Sequence, residues 1–87
     1  MKLKLKGQEA AAGTSSTNGA NYSNATLVRV HNAGTYQRLV SIEDSGGTLK
    51  YTFTLSGGAT EYVVKTNTDE IFAAHAEVKC VSVSYYS

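Results

Sequence analysis

The sequence predicts an all-β protein: a small β-sandwich or barrel of about six to seven antiparallel strands with an extended N-terminal arm. Short runs of alternating apolar and polar residues follow one another from residue 25 to the end, separated by glycine-containing turns. No convincing long helical pattern interrupts them. The chain has 87 residues, a length typical of one domain with a thin core.

The strand predictions depend on residue alternation and on the positions of the turns. Residues 49–55 form the clearest amphipathic strand, because Leu, Tyr, Phe and Leu alternate there with Lys and Thr. The glycine pairs at 46–47 and 57–58 supply the backbone conformations that tight turns require. The last strand is apolar on both faces, which is typical of a central strand or of one covered by a partner. The other strands are predicted at residues 26–32, 36–43, 62–66 and 77–86.

Residues 67–74 break this β pattern. Asn67 is a residue type that caps helices, and Glu70 follows three positions later, where its side chain can reach back to the cap. We therefore predict a short helical turn around residues 69–73.

The N-terminal residues differ from the rest of the chain. Residues 1–6 alternate Lys with apolar residues, and residues 7–24 are small and polar. The alternation fits a strand with one solvated face, and it also fits a basic arm that pairs with an acidic patch on a neighbour. We predict that residues 1–24 form a strand and flexible arm and that residues 25–87 form the sandwich. Removal of residues 1–24 is then expected to leave the sandwich folded and to weaken assembly.

Composition argues against several classes of function. The net charge is +1, so no overall field favours nucleic acid or a membrane surface. No apolar stretch is long enough to span a membrane, and the basic start lacks the apolar core of a secretion signal. His31, His75 and the single cysteine, Cys80, have no recognised metal-ligand spacing. We predict no cofactor, no metal site and no catalytic residues, with Cys80 as a buried packing residue.

Tyrosine is the dominant aromatic residue, with six Tyr against two Phe and no Trp. Tyrosine is common at protein interfaces, because it combines a large apolar area with a polar tip. A thin core without an intrachain disulfide also favours support from partner subunits, so we predict a homo-oligomer. The candidate partner-binding residues are Lys2, Lys4, Lys6, Tyr22, Tyr85 and Tyr86.

Residues 25–87 resemble a group of short structural proteins encoded by tailed bacteriophages, particularly those of marine bacteria. The shared features are a Leu-Val-Arg-Val-His-Asn strand at 27–32, a glycine hairpin before a Thr-Leu strand, and a glycine turn before Glu-Tyr-Val-Val-Lys at 61–65. A Thr-Asn-Thr-Asp-Glu-Ile element at 66–71 follows, and the terminal strand contains Val78-Lys79.

This resemblance implies a non-enzymatic virion structural protein, made in the bacterial host cytoplasm and located in the virion. A capsid decoration (cement) protein is the first expectation, with the major capsid protein or other virion proteins as partners. A tail, neck or fibre-associated component is an alternative within the same class. A free β-sandwich module that binds carbohydrate or another ligand is an alternative from a different class.

Overall fold

A computed structural model describes residues 2–86 of the chain, with side chains for residues 3–84. Over this range eight strands form two antiparallel sheets that stack as an open sandwich, not a closed barrel. The predicted all-β fold is confirmed, with one or two more strands than expected. The first sheet contains β1 (Lys2–Leu5), β2 (Ala10–Ala11), β3 (Leu27–Asn32), β6 (Thr60–Val64) and β8 (Val78–Tyr86), and the second contains β4 (Arg38–Glu43), β5 (Leu49–Leu55) and β7 (Glu70–Ala73).

The strand order shows how the chain moves between the sheets. The first sheet runs β1-β8-β3-β6, with β2 also paired to β8, and the second runs β5-β4-β7. The β4–β5 pair is the predicted glycine hairpin, and Gly47 in its turn has a φ of 88°. The crossover from β3 to β4 is fixed by buried Asn32, whose amide donates to the carbonyls of Tyr36 and Leu55 at 2.7 and 2.9 Å.

The core lies between the two sheets and follows from the alternation of each strand. Val28 and Val30 project inward from β3, and they meet Val40 of β4 and Ile71 of β7. Burying each such side chain stabilises the fold by about 1.5–3 kcal/mol. Cys80 also lies in this core and is fully buried, as the sequence predicted. Burial raises the pKa of its thiol to about 11, so the thiol stays protonated at neutral pH.

The predicted helical turn at residues 69–73 is wrong, because residues 70–73 form strand β7. Ile71 and Ala73 alternate with Glu70 and Phe72, and this alternation buries Ile71 and Ala73 in the core. Asn67 instead lies in a tight turn before the strand, closed by the Asp69 N–H, which donates to the Thr66 carbonyl at 2.9 Å, and Glu70 begins the strand. Burial of the apolar pair outweighs a local capping signal of about 1 kcal/mol.

Residues 7–24 do not form a detached flexible arm in the structure. Ala12 is buried in the core, and its N–H donates to the Val78 carbonyl of β8. Further along, Gly13 and Ala20 make backbone hydrogen bonds of 2.8–3.2 Å to β7 in the other sheet. The segment therefore crosses from one sheet to the other along one side of the sandwich. Its small residues allow this close approach, which composition alone does not distinguish from flexibility.

Strand β1 pairs with β8 of its own chain rather than extending away from it. Leu5 lies opposite Val83, and Ala10 of β2 lies opposite Cys80. Ala10 comes five positions after Leu5, whereas their partners on β8 are only three positions apart. The two extra residues form a bulge between β1 and β2. β8 is paired on this edge with β1 and β2 and on the other with β3, so it is a central strand, one of the two positions that its apolar pattern predicted.

Candidate functional site

The structure brings the six predicted partner-binding residues to one end of the first sheet. The pairing of β1 with β8 places Lys2 opposite Tyr86 and Lys4 opposite Ser84. The Lys6 N–H donates to the Ser82 carbonyl at 2.9 Å, and Lys6 and Tyr22 line one cavity. The structure describes the strand positions of Lys2, Tyr85 and Tyr86 but not their side chains. We call this region the β1 edge site: β1, the end of β8 and residues 21–26.

The cavity in the β1 edge site has a volume of about 260 Å³. Its walls combine the side of β8 with the turn that precedes β3, and half of the lining side chains are short and polar. Hydroxyl and amide groups here can donate and accept hydrogen bonds, and Lys6 adds a positive charge. The lining residues are Lys6, Tyr22, Ser23, Asn24, Ala25, Thr26, Leu27, Ser82, Val83 and Ser84.

One wall of the cavity is a left-handed turn that contains no glycine. Tyr22, Ser23 and Asn24 have φ values of 57°, 61° and 58°. Left-handed backbone costs roughly 1–2 kcal/mol per non-glycine residue, so other contacts must hold it. Asn21 and Asn24 provide two of them. The Asn24 backbone N–H donates to Asn21 Oδ1, and the Asn21 side-chain Nδ2 donates to Asn24 Oδ1, each at 3.1 Å.

The buried ammonium of Lys65 is the main clamp on this turn. Its Nζ donates to the carbonyls of Ala25 at 2.7 Å, Asn21 at 3.0 Å and Thr66 at 3.4 Å. Burial lowers the pKa of Lys65 below its ordinary value, and the charges of Asp69 and Glu70 partly offset this effect. This role was not predicted from the sequence, because the carbonyls of Asn21 and Ala25 lie 44 and 40 residues before Lys65 in the chain.

Tyr22 contributes to the cavity wall but is not a free surface aromatic. Its ring packs against the core, and its buried hydroxyl meets no hydrogen-bond partner among the described residues. Burial, with a smaller effect from the nearby Cys80 thiol, raises the pKa of Tyr22 well above its ordinary value. Tyr22 therefore supports the site from within, and its ring is less available to a partner than the sequence suggested.

One row of residues on the outer face of the first sheet is apolar, a feature that was not predicted from the sequence. Leu5 lies opposite Val83 on β8, and the β3 register places Leu27 beside Val83 and opposite Val64 on β6. These side chains form a row across all four strands. We call this surface the apolar outer face, which also includes Leu3 and Tyr62. The alternation in residues 1–6 and 60–64 is the signal that could have located it.

A second feature lies on the outer side of the second sheet, where Glu43 and Glu70 are opposite one another. Glu43 is 1% exposed; its Oε1 accepts a 2.6 Å hydrogen bond from Ser16, and its Oε2 has no partner among the described residues. Burial, followed by the adjacent Glu43 carboxyl and the charges of Glu43 and Asp44, raises the pKa of Glu70. The pair adjoins an open depression of about 440 Å³ near Ser16.

This carboxyl pair gives a prediction for the pH dependence of stability. A raised carboxyl pKa means that the folded state binds the proton more tightly than the unfolded state does. Protonation of this carboxyl therefore stabilises the fold fully below the ordinary pKa of 4.5, and this stabilisation is lost as pH rises through the folded-state pKa. Glu70→Gln should reduce this loss, because an amide replaces the repelling charge. Urea unfolding of the monomeric chain from pH 4.5 upward measures it, with exposed Glu61→Gln as the control. Equal pH slopes in wild type and Glu70→Gln contradict it.

The two histidines are held by local contacts. Nδ1 of His31 lies 2.8 Å from the Thr60 hydroxyl, and Nδ1 of His75 accepts from the Glu77 N–H at 3.0 Å. Within residues 2–86, no group of three or more His, Cys, Asp or Glu side chains is arranged to hold a metal ion. The described part of the chain also contains no helix long and apolar enough to cross a membrane.

Comparisons with known proteins identify no relative. No protein-family model matches the chain, no curated protein matches its sequence, and no solved structure matches its fold.

Proposed function

We propose that this protein is a non-enzymatic bacteriophage virion structural protein, a capsid decoration protein that binds the major capsid shell in many copies. One observation supports assembly above all others: the apolar outer face is exposed at both of its edges. Leu3 and Leu5 on β1 are 40% and 60% exposed, and Tyr62 and Val64 on β6 are 45% and 76% exposed. The sequence resemblance of residues 25–87 supports the virion as the location.

The position of these side chains explains why the observation favours a protein partner. Val83 and Leu27 in the middle of the row are already buried, so the exposed residues extend an existing apolar surface toward both edges. The exposed apolar surface thus forms two patches, one at each edge of the sheet, and exposed apolar patches mark protein interfaces in soluble proteins. The side chains stand on paired strands and not on loops, so their arrangement is fixed before a partner binds.

A second candidate function is the binding of a small polar ligand such as a carbohydrate, and the cavity of the β1 edge site favours it. Its hydroxyl and amide lining suits a polar ligand. The exposed tyrosines do not extend this site into one platform, because Tyr62 lies on the first sheet and Tyr51 on the second. The assembly function therefore accounts for more of the surface.

Quantitative mass spectrometry of purified virions tests the proposed function. For a decoration protein, we expect this chain at a copy number comparable to that of the major capsid protein. A much lower copy number, similar to that of tail proteins, favours the tail, neck or fibre alternative. Absence from the particles contradicts the virion proposal. Saturable binding of the purified protein to a glycan, without particle association, supports the ligand-binding alternative.

A further inference from the structure

We propose that copies of this chain assemble head to tail, with β1 of one copy pairing antiparallel with β6 of the next. The partner is thus a second copy of the chain, bound through the two opposite edges of the first sheet. The inference deepens the proposed function, because it names the contact by which an assembly subunit binds its neighbours.

The topology leaves both edges available and gives them compatible directions. The sheet order is β1-β8-β3-β6, and among residues 2–86 no strand pairs with the far edge of β1 or of β6. Each neighbouring pair along this order is antiparallel, so β1 and β6 run in opposite directions. A copy moved sideways by the width of the sheet therefore presents β1 antiparallel to β6, and the backbone groups of both edges find partners.

One register also matches the side chains on both faces. Residues opposite one another in an antiparallel pair project from the same face. Pairing Leu5 with Tyr62 places Leu3 opposite Val64, so the two exposed apolar pairs meet on the outer face. The apolar row of one copy then continues into the row of the next. A shift by one residue would place leucines opposite residues of the inner face and break the match.

The same register pairs opposite charges on the inner face. Lys6 follows Leu5 and Glu61 precedes Tyr62, so these two residues become directly opposite. Both are exposed in the single chain, and neither forms an ion pair or side-chain hydrogen bond within its described part. By contrast, pairing β1 with β1 of another copy on matching faces places lysines opposite lysines, which is destabilising. Charge complementarity thus favours the head-to-tail contact over the symmetric one.

A head-to-tail contact uses two different surfaces, so it produces a closed ring or an open filament rather than a simple two-fold dimer. In either arrangement the outer faces of successive copies form one extended surface, on which the exposed apolar residues of β1 and β6 lie side by side at each junction. Such a surface can bind a repeating shell more strongly than a single copy can, because several weak contacts act together.

Cysteine cross-linking tests the contact directly. Directly opposite residues have Cβ atoms roughly 4.5–5.5 Å apart, within reach of a disulfide with small adjustment. We expect a full-length Leu5→Cys/Tyr62→Cys variant to form a ladder of oligomers under mild oxidation, while each single variant stays monomeric on a non-reducing gel. The native Cys80 is buried and gives little background. Thr52→Cys/Tyr62→Cys is the matched control, because Thr52 lies exposed on β5 of the other sheet.

The outcomes separate this inference from the proposed function. If either single variant forms disulfide-linked dimers in the same yield as the double variant forms oligomers, the contact is symmetric. That result would overturn the head-to-tail arrangement. Absence of a ladder also overturns it, and virion mass spectrometry then still decides the proposed function independently.

Charge reversal provides a second measurement. Lys6→Glu or Glu61→Lys should each weaken self-association in sedimentation by roughly two- to fivefold per contact, and the double reversal should restore it. Failure of the double reversal to restore association contradicts the Lys6–Glu61 pairing.

Discussion

A chain that starts at residue 25 is expected not to fold. Removing residues 1–24 opens one edge of β8, takes Ala12 out of the core and removes the hydrogen bonds that Gly13 and Ala20 make to β7. It also removes the Asn21 carbonyl from Lys65. Each lost hydrogen bond costs about 0.5–1.5 kcal/mol, so together with the exposed core and sheet edge the loss is comparable to the 5–15 kcal/mol stability that is typical of a whole domain. Circular dichroism and proton NMR of residues 25–87 measure the result.

This expectation reverses the one drawn from the sequence, which treated residues 1–24 as dispensable for folding. Removal of residues 1–6 alone is the matched control. It takes away only the partly exposed β1 and should leave a folded, less stable protein. A dispersed, native NMR spectrum from residues 25–87 would mean that the contacts of residues 7–24 are not needed for the fold.

Lys65→Met is expected to lower the free energy of unfolding by about 2–4 kcal/mol. Methionine keeps most of the side-chain length but cannot donate hydrogen bonds, so the Ala25 carbonyl loses its 2.7 Å partner and the left-handed turn loses its clamp. The desolvation cost of the ammonium is relieved at the same time, which limits the loss. Urea unfolding at neutral pH measures the difference.

Lys79→Met is the matched control for this substitution. Lys79 also donates to a backbone carbonyl, that of Ala76 at 3.2 Å, but this contact is exposed. We expect its loss to cost less than about 1 kcal/mol. A Lys65→Met variant that is no less stable than Lys79→Met would show that the carbonyl clamp does not hold the turn.

The parts of the fold that sequence could predict are those set by alternation and by glycine turns. Residues 49–55 alternate clearly, and the strand found there has the predicted bounds. The hairpin at Gly46–Gly47 was also predicted, because only a few turn types join adjacent strands so tightly. Local patterns of this kind depend on neighbours in the sequence, which are known without the fold.

The failures have a common physical cause, which is that tertiary contacts decide between local alternatives. At residues 69–73, a capping signal competes with alternation, and burial of Ile71 selects the strand. In residues 7–24, small polar residues fit a flexible tether as well as a segment packed closely against two sheets. Lys65 and the Glu43–Glu70 pair could not be assigned, because their partners are far away in sequence.

For the β1 edge site, the sequence identified the residues but not their relation. Lysines near the start and tyrosines near the end were chosen independently, by charge and by residue type. Only the β1–β8 pairing places them together. The apolar outer face was missed because only its two edge strands contribute exposed residues, and the row forms only when four strands are aligned.

The β1–β8 pairing also determines how the protein responds to mechanical load. Residue 2 lies opposite residue 86, so both ends of the described chain leave from one corner. Tension applied between these ends acts first on the outermost hydrogen bonds of that pair and breaks them one after another, as in unzipping. A subunit held instead through its sheet edges would share a load among many hydrogen bonds at once. An attachment through the edges is therefore mechanically stronger than a tether through the termini.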